Sequence, residues 1–241
     1  MNDVAPEYVD VIIPVYNEGQ NIVRLLEAFE REVHSPIRIL VCYDQDDDDT
    51  LKVLHAMDSR FEIISVKNKG RFAHGAVITG FEYSGAQAVI SYMADDDYNA
   101  GLIDKMIQLY WEGNDVVCAS RFIAGGSMVG CPWLKSFLVR AASFTLYHFA
   151  RLPTHDATNA FRLFSSQFLA KVHIESTEGF TYSLELLAKC HRLGLPVAEL
   201  PAQWFERRKG TSRFQIFRWV SAYLHWYFYI FATTFLRRKK I

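Results

Sequence analysis

Three consecutive acids, Asp95, Asp96 and Asp97, directly follow the apolar run "AVISYMA". Like charges at this spacing repel, and acids are poor strand formers. A divalent cation offsets the repulsion: carboxylate oxygens suit magnesium or manganese, and such ions usually also hold substrate phosphates. The D-x-D spacing makes Asp95 and Asp97 the metal candidates, although which two of the three acids bind stays open. A solvated acidic turn is the alternative. Two further polar clusters lie upstream, Tyr16-Asn17-Glu18 and Asp44 to Asp49. The second, within "DQDDDDT", has neither the sharp-turn glycine nor the distal glutamate of a calcium loop, which argues against an EF-hand. Asp44 is expected to face a ligand. The later acids are expected to cap the next helix, whose N-terminal dipole favours them.

These clusters need elements to position them. "YVDVIIPVYN" reads as a buried strand ending at a turn. "EGQNIVRLLEAFEREVH" follows with Ile22, Leu25, Leu26 and Phe29 on one helical face. "IRILVCYD", "FEIISVK", "AVISYMAD" and "DVVCASRF" read as four more strands. "DDTLKVLHAM", "GRFAHGAVITGFEYSG" (opened by glycine) and "AGLIDKMIQLYWEG" read as the intervening helices. Such alternation predicts a doubly wound α/β domain: a mostly parallel sheet with helices on both faces. Ligands bind such sheets beyond the carboxyl ends of the strands. The three polar clusters are therefore expected along one edge.

Of 241 residues, half are apolar, enough for a full core, and the formal net charge is −1. With no basic patch before the C-terminus, the balance argues against a nucleic-acid partner. Cys42, Cys118, Cys131 and Cys190 form no Cys-x-x-Cys pair and no zinc spacing, so reduced thiols are expected. The acidic N-terminus "MNDVAPEYVD" reads as no secretory signal. There is no Gly-x-Gly-x-x-Gly after the first strand and no Walker lysine, which argues against an ordinary dinucleotide or P-loop site.

Taken in order, "VIIPVYNEGQNI", "MADDD", "ASRFIAGGS", "DATNAFRLF" and "ERRKGTSRF" resemble the inverting family-two glycosyltransferases of GT-A fold. Within these, they are most similar to the polyprenyl- (dolichyl-) phosphate mannose and glucose synthases. The resemblance spans Tyr8 to about Phe235. It implies that Pro14, Tyr16 and Glu18 hold the nucleotide base and ribose, and that Asp44 contacts the base. It implies that Asp95, Asp96 and Asp97 form the metal and pyrophosphate motif, with Mg2+ or Mn2+ as cofactor, and that Arg121 approaches the phosphates. Asp95, Asp97 and Arg121 are thus the catalytic candidates. Arg207 and Arg213 match a basic pair on a loop over the donor site. Lys135 and Arg140 lie where the family presents positive charge to an acceptor phosphate. Asn159 and Arg162 are further acceptor-side candidates; for both, as for Asp156, a structural role is the alternative. The chain departs from the family at Tyr43 and Gln45, where an aspartate and a glycine are common, and at Asp95 to Gly101, where D-A-D-x-x-H-P is usual.

The implied donor is a nucleotide-diphosphate sugar, GDP- or UDP-linked, from which a hexose is transferred. Metal and arginines would take up the charge developing on the leaving diphosphate. A polyprenyl phosphate acceptor is already an anion and needs alignment rather than a strong base. That suits a chain with no evident Ser-His-Asp or Cys-His arrangement. A hydroxyl acceptor, on a polysaccharide or lipid-linked sugar, would instead require a base. An acid of the 95–97 cluster or Asp156 would then serve. From another class, a non-catalytic nucleotide-sugar-binding membrane adaptor would bind donor without turnover.

From Trp219 to Leu236 no formally charged residue occurs, while Arg213 and Arg218 precede and Arg237, Arg238, Lys239 and Lys240 follow. Positive charge at both ends favours the same side of a membrane for both, which an in-plane helix satisfies and a single span does not. Residues 1–212 are therefore expected to form the GT-A catalytic domain, and residues 213–241 a membrane-surface helix with a basic tail. The aromatic stretch "PWLKSFLVRAASFTLYHFARL" has the same character. The protein is expected to be peripheral at the cytoplasmic face of a membrane. Helix packing onto the catalytic domain is the alternative, and a membrane anchor subunit or homo-oligomer stays open.

Overall fold

A computed structural model describes residues 8–206 and 216–236. The chain opens with β1 (Val9–Val15), α1 (Gly19–Glu32), β2 (Ile37–Tyr43), α2 (Asp49–Ala56), β3 (Glu62–Lys67), α3 (Phe72–Tyr83), β4 (Ala88–Ser91), α4 (Leu102–Trp111) and β5 (Val116–Ser120). It continues with β6 (Ser127–Val129), α5 (Trp133–His148), β7 (Arg162–Ser165), the short α6 (Ser166–Leu169), α7 (Thr181–Leu193), β8 (Val197–Pro201), β9 (Gln203–Phe205) and α8 (Ile216–Leu236).

Seven strands form one sheet in the order β3-β2-β1-β4-β7-β5-β8, and β6 pairs with β9 beside it. All pairings in the main sheet are parallel except those of β7, which runs antiparallel between β4 and β5. Both faces are covered, so the central strands read as continuous apolar runs rather than alternations. The two-residue period of a strand then splits each run between two cores. Val11, Ile13, Ile39 and Val41 join α1 and α4 on one face. Ile12, Leu40 and Cys42 join the α3, α7 and α8 side. The expected α1 face of Ile22, Leu25, Leu26 and Phe29 is wholly buried. All four cysteines are free thiols.

α8 is built into the second core through Trp226, Ile230 and Thr233, each at most 3% exposed. Lys189 of α7 lies 5.1 Å from the Trp226 ring, and Arg192 lies 5.3 Å from that of Tyr229. The Tyr227 hydroxyl bonds that of Thr145 on α5 at 2.8 Å. The boundary expected at residue 212 therefore falls between elements that share one core: this helix offers its outer face alone to the surroundings. Among the described residues no helix is long and apolar enough to cross a membrane. The basic tail from Arg237 onward lies outside the described residues.

Candidate active site

A cleft of about 2110 Å³ runs along the carboxyl ends of the strands. Register sets its floor: Val15, Tyr43 and Lys67 are paired across β1, β2 and β3. The residues one step beyond, Tyr16, Asp44 and Asn68, therefore leave the sheet at the same level.

The acidic loop after β2 serves the β1–α1 turn as well as its own helix. Asp48 Oδ2 accepts the Asn17 N–H at 3.0 Å, Thr50 Oγ1 the Glu18 N–H at 3.0 Å, and Asp49 Oδ1 the Gly19 N–H at 3.0 Å. Three successive amides at the start of α1, which lack helical partners, are thus satisfied by a neighbouring loop. Asp48 also caps α2 through Thr50 N–H, as expected. Asp46 pairs with Lys67 at 2.5 Å. Asp44 Oδ1 accepts from Asn68 Nδ2 at 2.5 Å and its Oδ2 from the Phe72 N–H at 3.0 Å.

Of the three acids after β4, Asp95 and Asp96 line the cleft. Asp97 turns toward α1, with Arg24 at 3.9 Å. Asn99 clamps Asp96: its Nδ2 donates to both carboxylate oxygens, at 2.7 and 2.9 Å, and to Gln203 O at 2.8 Å. Gln203 N–H returns a bond to Asn99 Oδ1 at 3.0 Å, so the acidic turn is pinned to β9. Burial pushes the Asp96 carboxyl up to about 7, and Asp95 adds to the rise, against the bonds from Asn99. Carboxylate oxygens are hard donors of the kind that suit a magnesium or manganese ion. Among the described residues, no group of three or more His, Cys, Asp or Glu side chains converges on one metal position.

Arg121 lines the cleft but is largely buried and committed to Asp156: Nε to Oδ2 at 2.7 Å and Nη2 to Oδ1 at 2.8 Å. Burial alone would raise the Asp156 carboxyl; the Arg121 guanidinium overrides it and holds the group below the usual carboxylate range. A wholly buried, ionised partner of an arginine cannot take a proton from a cleft-bound hydroxyl, which removes Asp156 as a base. Arg162 is placed in keeping with the structural alternative. It is fully buried, donating through Nη1 to Ser183 O at 2.5 Å and Oγ at 2.9 Å, and through Nη2 to Asp156 O at 2.9 Å. It braces the antiparallel strand from inside and does not reach the cleft. Arg140 is exposed on α5, 4.9 Å from the Phe122 ring, and is not among the lining residues. Lys135 does line the cleft, 4.9 Å from the Trp204 ring and 3.9 Å from Glu206 Oε2. Asn159 lines it while donating to Ala119 O at 2.9 Å. Pro14, Tyr16, Glu18 and Asp44 line the opposite end. Arg207 and Arg213 lie outside the described residues.

Two lining segments escaped the sequence reading. Lys69, Arg71 and Phe72 come from the β3–α3 turn, and residues 174 and 176–180 from the approach to α7. The first was findable: "NKGRF" follows a parallel strand as the three acidic and polar clusters do, and only its lack of acids hid it.

A mostly parallel sheet whose carboxyl edge gathers acids, arginine and a long cleft defines a glycosyltransferase of GT-A fold. More specifically, the chain belongs to the family described as "Glycosyl transferase family 2", matched over residues 10–172. It is 23% identical over 212 residues to the polyprenol monophosphomannose synthase of Mycolicibacterium smegmatis, covering 84% of this chain and 79% of that protein. It is 31% identical to CsbB of Bacillus subtilis, named as a glycosyltransferase, and 25% identical to the dolichol-phosphate mannosyltransferase of Pyrococcus furiosus. Each of these two alignments covers 85% of this chain, but only 61% and 58% of those proteins' lengths. In structure it is similar to glucosyl-3-phosphoglycerate synthase from Mycobacterium tuberculosis, solved with Mn2+, UDP-glucose and phosphoglyceric acid. That likeness has a TM-score of 0.67 at 17% identity, over 92% of this chain and 80% of the other.

Proposed function

We propose that this glycosyltransferase moves a hexose from a nucleotide-diphosphate sugar, GDP- or UDP-linked, to a polyprenyl phosphate, with inversion and with a divalent metal. One observation carries the reading: the cleft is polar at one end and apolar at the other. Tyr16, Glu18, Asp44, Asp95 and Asp96 line the first end; Leu138, Val139 and Leu146 of α5 with Tyr223, Leu224 and Tyr227 of α8 line the second. A small soluble acceptor would have no use for that second wall, whereas an isoprenoid chain would bury against it. The names of the relatives from Mycolicibacterium smegmatis and Pyrococcus furiosus agree with this acceptor.

In this scheme Asp95, with Asp96 or Asp97, holds the Mg2+ or Mn2+, which supplies charge stabilisation for the departing diphosphate. Tyr16, Glu18 and Asp44 bind the nucleoside. Lys135 meets the acceptor phosphate between the two ends, and Arg140 waits at the outer surface of α5. An acceptor phosphate oxygen, already anionic, attacks the anomeric carbon as the bond to the diphosphate breaks. Arg121, fixed by Asp156 and Thr158, lends its positive charge to the phosphates, and the resemblance assigns Arg207 and Arg213 to the same phosphates. The exposed aromatic faces of α5 and α8 rest on the membrane, at its cytoplasmic face.

The test is transfer. The full chain is incubated with UDP- and GDP-hexoses, Mn2+ and a short polyprenyl phosphate. The expected product is an acid-labile, phosphate-linked sugar, and Asp95→Ala is expected to reduce its formation by 100-fold or more, the scale of removing a preorganised charge partner. A product linked only through a hydroxyl would overturn the acceptor assignment. Full activity of Asp95→Ala without metal would overturn the metal assignment.

A further inference from the structure

Phe72 stands in a conformation that its residue type resists. Its φ is +59°, the left-handed region that β-carbon-bearing residues other than Asn and Asp rarely adopt. Its side chain repays nothing by packing, because the residue is 71% exposed at the cleft wall. The surroundings nevertheless enforce the geometry. Asp44 Oδ2 takes the Phe72 N–H at 3.0 Å, and Asn68 Nδ2 donates to the Phe72 carbonyl at 3.2 Å. Asn68 Oδ1 takes the Gly70 N–H at 2.8 Å, and Asn68 Nδ2 bonds Asp44 at 2.5 Å. Gly75 abuts this turn so closely that a β-carbon there would sit 2.9 Å from Gly70 Cα. A turn so fully determined, holding an apolar ring in solvent, is the pattern of strain retained for a ligand.

We infer that Phe72 is a stacking platform for the nucleobase of the donor, opposite Tyr16. The inference rests on the proposed nucleotide-sugar donor and adds to it a specific second wall. The sheet supplies the order. β1, β2 and β3 are adjacent, and Tyr16, Asp44 and Asn68 leave them in register. Phe72 lies five residues past β3, and its N–H bond to Asp44 Oδ2 brings its turn to the end of β2, the strand between β1 and β3. A planar base stacked on both sides needs roughly 7–8 Å between the flanking rings, two ordinary carbon contacts. Tyr16 and Phe72 line one cleft, and Asp44, from the end of the strand between β1 and β3, lines it with them, where the edge of the base would present its N–H groups. A π-face is common to every base, so the platform contributes affinity and leaves the choice of base to Asp44.

The experiment uses the full chain with Mn2+ and three probes: UDP, GDP and inorganic pyrophosphate, each titrated calorimetrically. Phe72→Gly removes the ring and relaxes the backbone together. The expected result is an unchanged or higher melting temperature, about tenfold weaker binding of UDP or GDP, whichever the wild type binds, and unchanged pyrophosphate binding. Phe72→Tyr is expected to restore wild-type affinity. Equal nucleotide affinity in Phe72→Gly and wild type, or equal weakening of pyrophosphate, would overturn the platform while leaving the donor reading intact. Absence of nucleotide binding by the wild type would overturn the donor reading and the platform with it.

Discussion

His74 shows how one side chain can tie two walls of the cleft together. It is 7% exposed on α3, its Nε2 lies 3.2 Å from Ser176 Oγ, and its ring meets that of Tyr182 edge-on at 5.9 Å. Burial lowers its pKa, only partly opposed by the field of Glu185. The folded protein therefore holds His74 neutral where the unfolded chain would bind a proton. The stability this contributes is complete above the ordinary histidine pKa of about 6.5 and is lost as pH falls through it toward the depressed folded value. Urea denaturation at pH 7.5 and pH 5 should show a larger acid loss for wild type than for His74→Gln, which cannot charge. Parallel losses in the two proteins would show that His74 does not titrate in this window. The pKa of the Asp96 carboxyl is shifted the other way, raised by burial, so there too burial disfavours the charged form.

At the scale of elements, β1, β2, β3, β4 and β5 and the four helices between them were legible because each burial pattern is local. Short apolar runs bounded by turn residues, alternating with 3.6-residue periodicity, leave few topologies open. What failed was what depends on distant partners. β7 is four residues long and is defined by antiparallel pairing to β4 and β5, so nothing within "RLFS" announces a strand, and the sequence left Arg162 open between acceptor contact and structural brace. Asp48 read correctly as a local cap, but its bond and that of Asp49 to the α1 turn, 31 and 30 residues away, had no sequence signature. α3 begins at Phe72, beyond the glycine expected to open it, because a left-handed phenylalanine contradicts residue preference. Close element packing also yields a prediction. A β-carbon on Gly80 of α3 would sit 2.6 Å from Ile12 Cγ2, and Ile12 is fully buried in β1. Gly80→Ala gains about 1 kcal/mol of helix propensity but forces α3 off the sheet at an overpacking cost of about 1–3 kcal/mol. A net destabilisation of roughly 1 kcal/mol in chemical denaturation is expected; a stabilised variant would mean that α3 shifts freely over β1.

For the whole molecule, the distribution of apolar surface matters more than its amount. A net charge of −1 gives no long-range attraction to an anionic membrane, so any affinity must be local. α5 exposes Trp133, Phe137 and Phe144, the last 57% accessible, and α8 exposes Leu224, Phe228 and Phe235, with Phe228 63% accessible. The two helices touch through Thr145 and Tyr227, and Leu138, Val139, Leu146, Leu224 and Tyr227 of the same helices line the cleft. A polyprenyl chain too long for the cleft would leave it here, and a protein whose rim lies in the interface need not pull the lipid into water. This proposed membrane face can be removed without touching the polar end of the cleft. Phe144→Ser with Phe228→Ser should leave folding and nucleotide affinity unchanged, since neither ring is buried in the monomer. Each phenylalanine contributes up to about 1.5–3 kcal/mol when fully buried, so even partial insertion of two predicts at least a tenfold loss of partitioning onto phospholipid vesicles. Transfer to a long polyprenyl phosphate in vesicles should fall in parallel, while transfer to a short, water-dispersed analogue should persist. If the double variant bound vesicles as well as the wild type, the aromatic rim would have to be assigned to another partner, and the lipid would have to enter the cleft from a different side.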